Sequence, residues 1–359
     1  MKPIALSLSD VPLDAWDHFI SSQGGCILQS SLWAHFQKHF SKELLFMALT
    51  KEDSAEFTGG NCIAASLVLL NPLPLGFSYL FFPRGPVFSR GIAEDIKAQC
   101  VAQLAEEAAR HYKNKKIAFV RVEPELRWSS QNSSLFHALG FKKTISQDPQ
   151  TTIIIDCTGS EEAMIARCKQ KTRYNINLAK KKGVVVISSP DVSFEIFWGL
   201  LSETSSQQQF RLHPKEYYRT LLNVARETAH KRTRLEFYYA LHDGDYLACA
   251  IIAVFGQNAY YLHGGSSKKK SNLMAPHLLH WEIIKKLKQE GIVAYDLWGA
   301  NPSERKKGVE YKESLAGVSR FKEGFGGQEK ILIGTHDMPI KPLHYKGYTV
   351  ARSIRRTVS

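Results

Sequence analysis

The sequence predicts two mixed α/β domains in tandem. Its 359 residues exceed the usual size of one domain, about 100 to 200 residues. Apolar residues make up 44% and charged residues only 23%, so sizeable cores can form. Both halves repeat the order strand, strand, helix, strand.

In the first half, the apolar runs Cys62 to Leu70 and Phe77 to Phe82 predict two strands joined by a Pro-rich turn, with Arg84-Gly-Pro after the second. Ile96, Cys100, Leu104 and Ala108 recur at helical spacing, and the strand Ile117 to Val122 runs into Glu123-Pro124. In the second half, Tyr246 to Phe255 and Ala259 to His263 predict a hairpin closed by Gly264-Gly265. Met274, Leu278, Trp281 and Ile284 mark one helix face, Gly291 stops that helix, and Ile292 to Leu297 forms the strand leading to Asn301-Pro302. The boundary falls near 150, where Gln147-Asp148-Pro149 precedes the strand Thr152 to Asp156.

Thr158-Gly-Ser-Glu161 matches a capping box and Gly183 a stop, which predicts one helix between them with Met164, Ile165, Cys168, Thr172, Ile176 and Ala179 facing the core. Seven basic residues decorate this segment. Lys180-Lys181-Lys182 suits either the negative end of the helix dipole or an RNA phosphate backbone. The net charge of +13 is uneven: residues 1–150 hold 15 Lys and Arg against 14 Asp and Glu, whereas residues 151–359 hold 32 against 20. An excess confined to one half suits the docking of a polyanion, since Lys and Arg displace the counterions condensed on phosphates; solubility is the competing explanation.

Six cysteines without a Cys-x-x-Cys pair point to reduced, buried thiols. Met1 to Trp16 contains no signal-peptide pattern, and the longest apolar runs fall far short of the roughly 20 residues that span a bilayer, so a cytoplasmic protein is expected. His35 with His39, and His277 with His280, have helical spacing but neither the glutamate of His-Glu-x-x-His nor a third ligand, so no metal is expected.

Several blocks resemble the Fem family (FemABX) of aminoacyl transferases. They are Gln29-Ser-Ser-Leu-Trp33, Lys171-Thr-Arg-Tyr-Asn-Ile176, Tyr260-Tyr-Leu-His-Gly-Gly-Ser-Ser267, Met274-Ala-Pro-His-Leu-Leu-His-Trp281, Tyr295-Asp-Leu-Trp-Gly299 and Arg320-Phe-Lys-Glu-Gly-Phe-Gly-Gly327, in the family's order. The resemblance implies tandem GNAT-like acyltransferase domains, mixed sheets flanked by helices. Residues 1–150 form the precursor-binding domain, completed by a returning tail at 341–359, and 151–340 form the basic, aminoacyl-tRNA side. Residues 205–234 are too few for the long helical arm of some staphylococcal members, so an armless, FemX-like monomer is expected.

The implied reaction is attack by an amine of a peptidoglycan stem peptide on the ester that joins an amino acid to tRNA. The partners are aminoacyl-tRNA and UDP-MurNAc-pentapeptide or its lipid-linked form, the latter with peripheral contact to the inner membrane face. No cofactor is expected: Arg320-Phe-Lys-Glu-Gly-Phe-Gly places its first glycine one residue too late for the GNAT pyrophosphate loop.

By the resemblance, Lys322 stabilises oxyanion charge at the acyl ester, and Glu123 holds or deprotonates the incoming ammonium. Lys38, five residues after Trp33, matches a lysine that binds the precursor diphosphate. Arg211 stands near Tyr217-Tyr218 but off the family spacing, with His213 at the arginine's place. Tyr261 and Tyr218 are expected in one cleft, with Asp296 a secondary candidate, and Trp33 and Tyr217 beside the substrate. Lys169, Lys171, Arg173, Lys180 and Lys181 are the tRNA candidates. A tRNA or wall-precursor binding protein without turnover, and a coenzyme A-dependent N-acyltransferase, are the competing readings.

Overall fold

The computed structural model describes all residues except 52–55, 209–210, 229–230 and 359, and the side chains of 354–358 lie outside the description. The chain divides into Met1–Gln150 with Ile331–Ser359, and Thr151–Lys330.

The first unit begins with β1 (Lys2–Leu6), α1 (Leu13–Ser22), α2 (Ser31–Lys38), β2 (Leu44–Thr50), β3 (Cys62–Pro72), β4 (Ser78–Phe82) and β5 (Val87–Phe88). It continues with α3 (Glu94–His111), β6 (Ile117–Val122), α4 (Ser130–Ala138) and β7 (Lys142–Lys143). The second contains β8 (Thr151–Asp156), α5 (Glu161–Arg167), α6 (Gln170–Lys181), β9 (Val185–Ser188), α7 (Phe194–Gln208) and α8 (Lys215–Thr228). There follow β10 (Arg234–His242), β11 (Asp245–Phe255), β12 (Asn258–Ser266), α9 (Ala275–Gln289), β13 (Ala294–Ala300), α10 (Ala316–Glu323) and β14 (Gln328–Ile331). The chain then returns to the first unit as β15 (His336–Pro339) and α11 (Pro342–Val358).

One plan serves both units. The first sheet has the order β1-β2-β3-β4-β6-β15-β7, and the second, from its far edge, β9-β10-β11-β12-β13-β8-β14. In each, an antiparallel pair (β3 with β4, β11 with β12) is followed by a helix that crosses to a strand parallel to the second member, β6 beside β4 and β13 beside β12. The crossover helix buries one stripe. In α3 this is Ala98, Val101, Leu104, Ala105 and Ala108; in α9 it is Leu278, Ile283, Ile284 and Leu287.

The sixth place in each sheet is filled antiparallel to its neighbour, by β8 beside β13 and by β15 beside β6. The return therefore begins at Ile331 and not at 341. Its anchor is a buried pair, Arg121 on β6 and Asp337 on β15, with two nitrogen–oxygen contacts of 2.8 Å; the Tyr345 hydroxyl donates to the same carboxylate at 3.2 Å. Such a fork pairing specifies register as well as energy.

The helix expected across 158–183 is broken into α5 and α6. Ser160, not Thr158, caps α5 by accepting from the Ala163 N–H. At the break, Cys168 is extended and the Lys169 N–H donates to the Gly324 carbonyl at 2.8 Å. The break lets the Gly324–Gly327 stretch pack closely: a Cβ on Gly326, whose φ is +74°, would sit 2.1 Å from the Arg167 carbonyl oxygen. Gly183, at φ +79°, does end α6.

The six cysteines are buried thiols, each shifted up by burial. No helix among the described residues is long and apolar enough to cross a membrane.

Candidate functional site

In the first unit, β4 and β6 run parallel with Phe82 beside Val122, so the residues that follow them emerge together. Those residues are Arg84 and Glu123. With Pro124, Asp148, Pro149, Gln150, Leu332 and Gly334 they line a small pocket. Ligand sites favour such carboxyl ends of strands in α/β sheets. Arg84 takes a positive φ of 51° and donates from Nη2 to the Pro149 carbonyl at 2.7 Å.

Glu123 is only 4% exposed. Its Oε1 accepts from the Gln147 N–H at 2.8 Å, the Asp148 N–H at 3.2 Å and the Thr335 hydroxyl, while Oε2 is buried without a hydrogen bond. Burial and then the Asp148 carboxylate push its pKa up, against the Thr335 bond and the Arg84 charge. A carboxyl group held neutral beside a pocket is suited to general acid or base work or to receiving a cation.

Sequence reasoning picked Glu123 and passed over Arg84 and Asp148. The signal for Arg84 was present, since both apolar runs end in a charged residue beside a proline, but its partner depends on the parallel register. Gln29 opens the block that ends in Trp33. Its Nε2 donates to the Pro83 carbonyl and its Oε1 accepts from the Leu67 N–H at 2.7 Å, bracing the turn that carries Arg84. Trp33 packs against Phe36 in the core, with ring centroids 4.8 Å apart, whereas Lys38 is exposed in the last turn of α2.

In the second unit, Lys322 of α10 is 6% exposed and donates from Nζ to the Gly299 carbonyl at 2.6 Å. Its Nζ also lies 5.6 Å above the centre of the Tyr261 ring. Burial pulls its pKa down to about 7, with the Asp296 carboxylate acting in the opposite sense. The carbonyl is aimed by a bulge: Asp296 lies opposite Ile154 and Gly299 opposite Thr152, so Leu297 and Trp298 oppose one residue of β8. Trp298 has φ 58°, and its N–H donates to Asp296 Oδ1 at 2.7 Å; the Thr152 hydroxyl donates to the same oxygen. Asp296 thus shapes the strand end that holds Lys322.

Beneath this lysine, His280 packs edge-on against Tyr261 at 4.7 Å, and its Nδ1 lies 3.0 Å from the Tyr295 hydroxyl. Burial and then the Lys322 charge hold His280 neutral, at about 3. His277 lies nearby, its Nε2 3.1 Å from Asn175 Nδ2 and its pKa brought down by burial to about 4. Neutral imidazoles add no charge beside the ammonium. Among the described residues no group of three or more His, Cys, Asp or Glu is placed to hold a metal.

Two pairings expected from the sequence are absent. Tyr261 and Tyr218 do not share a cleft: a bulge in β12 sets Tyr261 opposite Ile252 and His263 opposite the adjacent Ile251, so the two residues point to opposite faces of the sheet. Tyr261 meets His280 of α9, whereas His263 meets Tyr217 and Tyr218 of α8 at 5.6 and 5.1 Å. Tyr218 is buried, its hydroxyl accepting from the His213 N–H at 3.3 Å; His213 stacks on Tyr217 at 4.1 Å; and Arg211 is exposed. The basic set is also divided. Lys169 pairs with Glu323 at 2.9 Å, and Arg173 donates to the Cys168 and Ala166 carbonyls at the α5–α6 break, while Lys171, Lys180 and Lys181 are exposed.

The glycines around Lys322 serve packing. Gly324 follows a helix C-terminus, and a Cβ there would lie 2.3 Å from Thr172 Oγ1; one on Gly327 would lie 2.6 Å from Ile155. Both therefore press α10 against α6 and β8, and neither belongs to a helix N-terminus that could cradle phosphates.

The FemAB family model matches residues 13–230 and 224–353. A lipid II:glycine glycyltransferase of Staphylococcus epidermidis is 21% identical over 402 aligned positions, covering 92% of each chain. The crystal structure of FemX superposes with a TM-score of 0.78 at 17% identity over 96% of this chain and 99% of that one. A tandem GNAT protein from the clavulanic acid biosynthesis pathway has a TM-score of 0.53 at 11% identity, with 94% and 98% covered. The structural likenesses establish the fold as two GNAT-like domains in tandem. The family match spans nearly the whole chain, and this protein belongs to the FemAB family.

Proposed function

We propose that the protein transfers an amino acid from aminoacyl-tRNA to the side-chain amine of a peptidoglycan-precursor stem peptide. The buried lysine of α10, bonded to the carbonyl of Gly299 on β13, carries this reading. A relative named as a lipid II:glycine glycyltransferase supports the transferase class and a wall-precursor acceptor.

The acceptor nitrogen attacks the ester carbonyl, the carbon–nitrogen bond forms, and the bond to the ribose oxygen breaks. Of the two protons lost by the attacking ammonium, one is released and one ends on the departing ribose oxygen. Lys322, fixed by Gly299 and desolvated, stabilises the oxyanion and, with a pKa near neutrality, gives its proton to the leaving oxygen and regains one from the attacking nitrogen. Removing a fixed donor of this kind costs about 100- to 1000-fold in rate.

Glu123 gives up its proton as the acceptor ammonium arrives and receives that ammonium through Oε2, the oxygen left without a hydrogen bond. Arg84 and Asp148 set the local charge. Exposed Lys38 pairs with the precursor diphosphate, and exposed Lys171, Lys180 and Lys181 pair with tRNA phosphates.

The test is incubation of the full chain with a mixed aminoacyl-tRNA pool and either UDP-linked or lipid-linked precursor, followed by mass measurement of the muropeptide. A gain of one amino-acid residue, absent in Lys322→Ala, supports the proposal. Incorporation from acetyl-CoA offered in parallel, with none from charged tRNA, overturns it.

A further inference from the structure

We infer that the exposed face of α6, centred on Tyr174, binds an unpaired RNA segment, stacking one base on the tyrosine ring while Lys171, Lys180 and Lys181 take the flanking phosphates. This rests on the aminoacyl-tRNA reading and goes beyond it by naming Tyr174 as the stacking platform and the form of RNA it takes.

The helix is partitioned by side. Thr172, Asn175, Ile176 and Ala179 are buried, with Asn175 reaching His277 of α9, whereas Lys171, Tyr174, Asn177, Lys180 and Lys181 stand in solvent. Tyr174 is 65% exposed and, among the described residues, is the only aromatic among the exposed large hydrophobic side chains. Its ring has no aromatic neighbour and its hydroxyl no hydrogen bond among them. The other tyrosines of this unit are at least largely buried, so a ring left open to water between cations is an exception within the same domain.

Charge points the same way. Among the described residues Lys171, Lys180 and Lys181 have no carboxylate within ion-pair distance, whereas Lys169 is neutralised by Glu323, and Lys269 and Lys270 by Asp245. Three such cations therefore share the helix that carries the open ring. Lys171 lies about 4.5 Å and Lys181 about 10.5 Å along the axis from Tyr174, a span suited to a few nucleotides of backbone. A duplex hides its base faces in the stack, whereas a single strand offers them to an aromatic side chain, so the occupant is unpaired RNA.

The experiment measures binding of the full chain to an unstructured fluorescent oligoribonucleotide of about eight residues and to a matched duplex, across a salt series. Tyr174→Ala is expected to weaken single-strand binding roughly tenfold with an unchanged salt slope, and Tyr174→Trp to restore it. Lys171→Ala and Lys181→Ala should each lower the slope by about 0.7. Wild-type affinity in Tyr174→Ala, or a preference for duplex, overturns the inference. Transfer from charged tRNA that persists unaltered in Tyr174→Ala sinks this surface and leaves the proposed reaction standing. Tyrosine-dependent RNA binding with no transfer from any tRNA does the reverse.

Discussion

Lys322 donates to the carbonyl oxygen of Gly299 across 2.6 Å, and this contact joins a glycine-rich helix end to a bulged strand. The carbonyl is turned toward the lysine because Asp296 holds Trp298 in a left-handed conformation one residue earlier. The ammonium is thereby fixed by one bond and lies over the Tyr261 ring. Its remaining N–H groups provide the donors that an oxyanion needs.

The burial of Lys322 makes its charge dependent on pH. Its pKa falls from an ordinary 10.5 to about 7, so between those values the unfolded chain binds more protons than the native one. The stability penalty is full below pH 7 and is relieved as pH rises toward 10.5. Lys322→Met should therefore raise the melting midpoint relative to wild type more at pH 6 than at pH 10. Equal differences at both values would show that the lysine is solvated.

Glu123 has the opposite linkage. Its raised pKa means that the native state holds a proton which the unfolded chain loses above about its ordinary 4.5, so this contribution to stability is full in acid and falls as pH rises through the folded value. Glu123→Gln keeps an oxygen for Gln147, Asp148 and Thr335. In urea unfolding at pH 5 and pH 8 it should lose less stability between the two than wild type, while transfer falls by about 100-fold.

Gly264 lies under the Tyr261 ring: a Cβ would sit 2.2 Å from the tyrosine hydroxyl and 2.6 Å from the Cys249 carbonyl oxygen. Gly264→Ala should cost about 1–3 kcal/mol of stability by overpacking. Displacing the ring should also move the alkaline limb of the transfer pH profile, since Tyr261 forms part of the wall that desolvates Lys322. Calorimetry and the rate profile read the two effects separately.

Asp337→Ala leaves Arg121 buried without its carboxylate. A loss of about 3–5 kcal/mol in denaturant unfolding is expected. Tyr345→Phe, which removes only the 3.2 Å bond to the same carboxylate, should cost about 1 kcal/mol.

Elements with a strong local period were legible in the sequence: the strand Ile117–Val122 was read with the bounds it has, and the repeated strand, strand, helix, strand order emerged as two sheets of one plan. What escaped was set by distant contacts. The break at Cys168 comes from glycines near 326, more than a hundred residues away, and no local pattern announces it. β15 has four residues and is specified by Arg121, so the return of the tail was placed too late. Lys322 and Glu123, one in each unit, stand out through their motifs, but Arg84 needs the register of β4 against β6. The separation of Tyr218 from Tyr261 turned on one inserted residue in β12, which reverses the facing of every side chain beyond it.

The most direct measurement is single-turnover transfer from preformed aminoacyl-tRNA to saturating precursor, comparing wild type with Lys322→Ala, alongside equilibrium binding of the same tRNA. The expected result is a fall of about 100- to 1000-fold in the chemical rate with tRNA affinity changed by less than about threefold. An unchanged rate, or a defect confined to binding, would contradict a role for this lysine at the reacting ester.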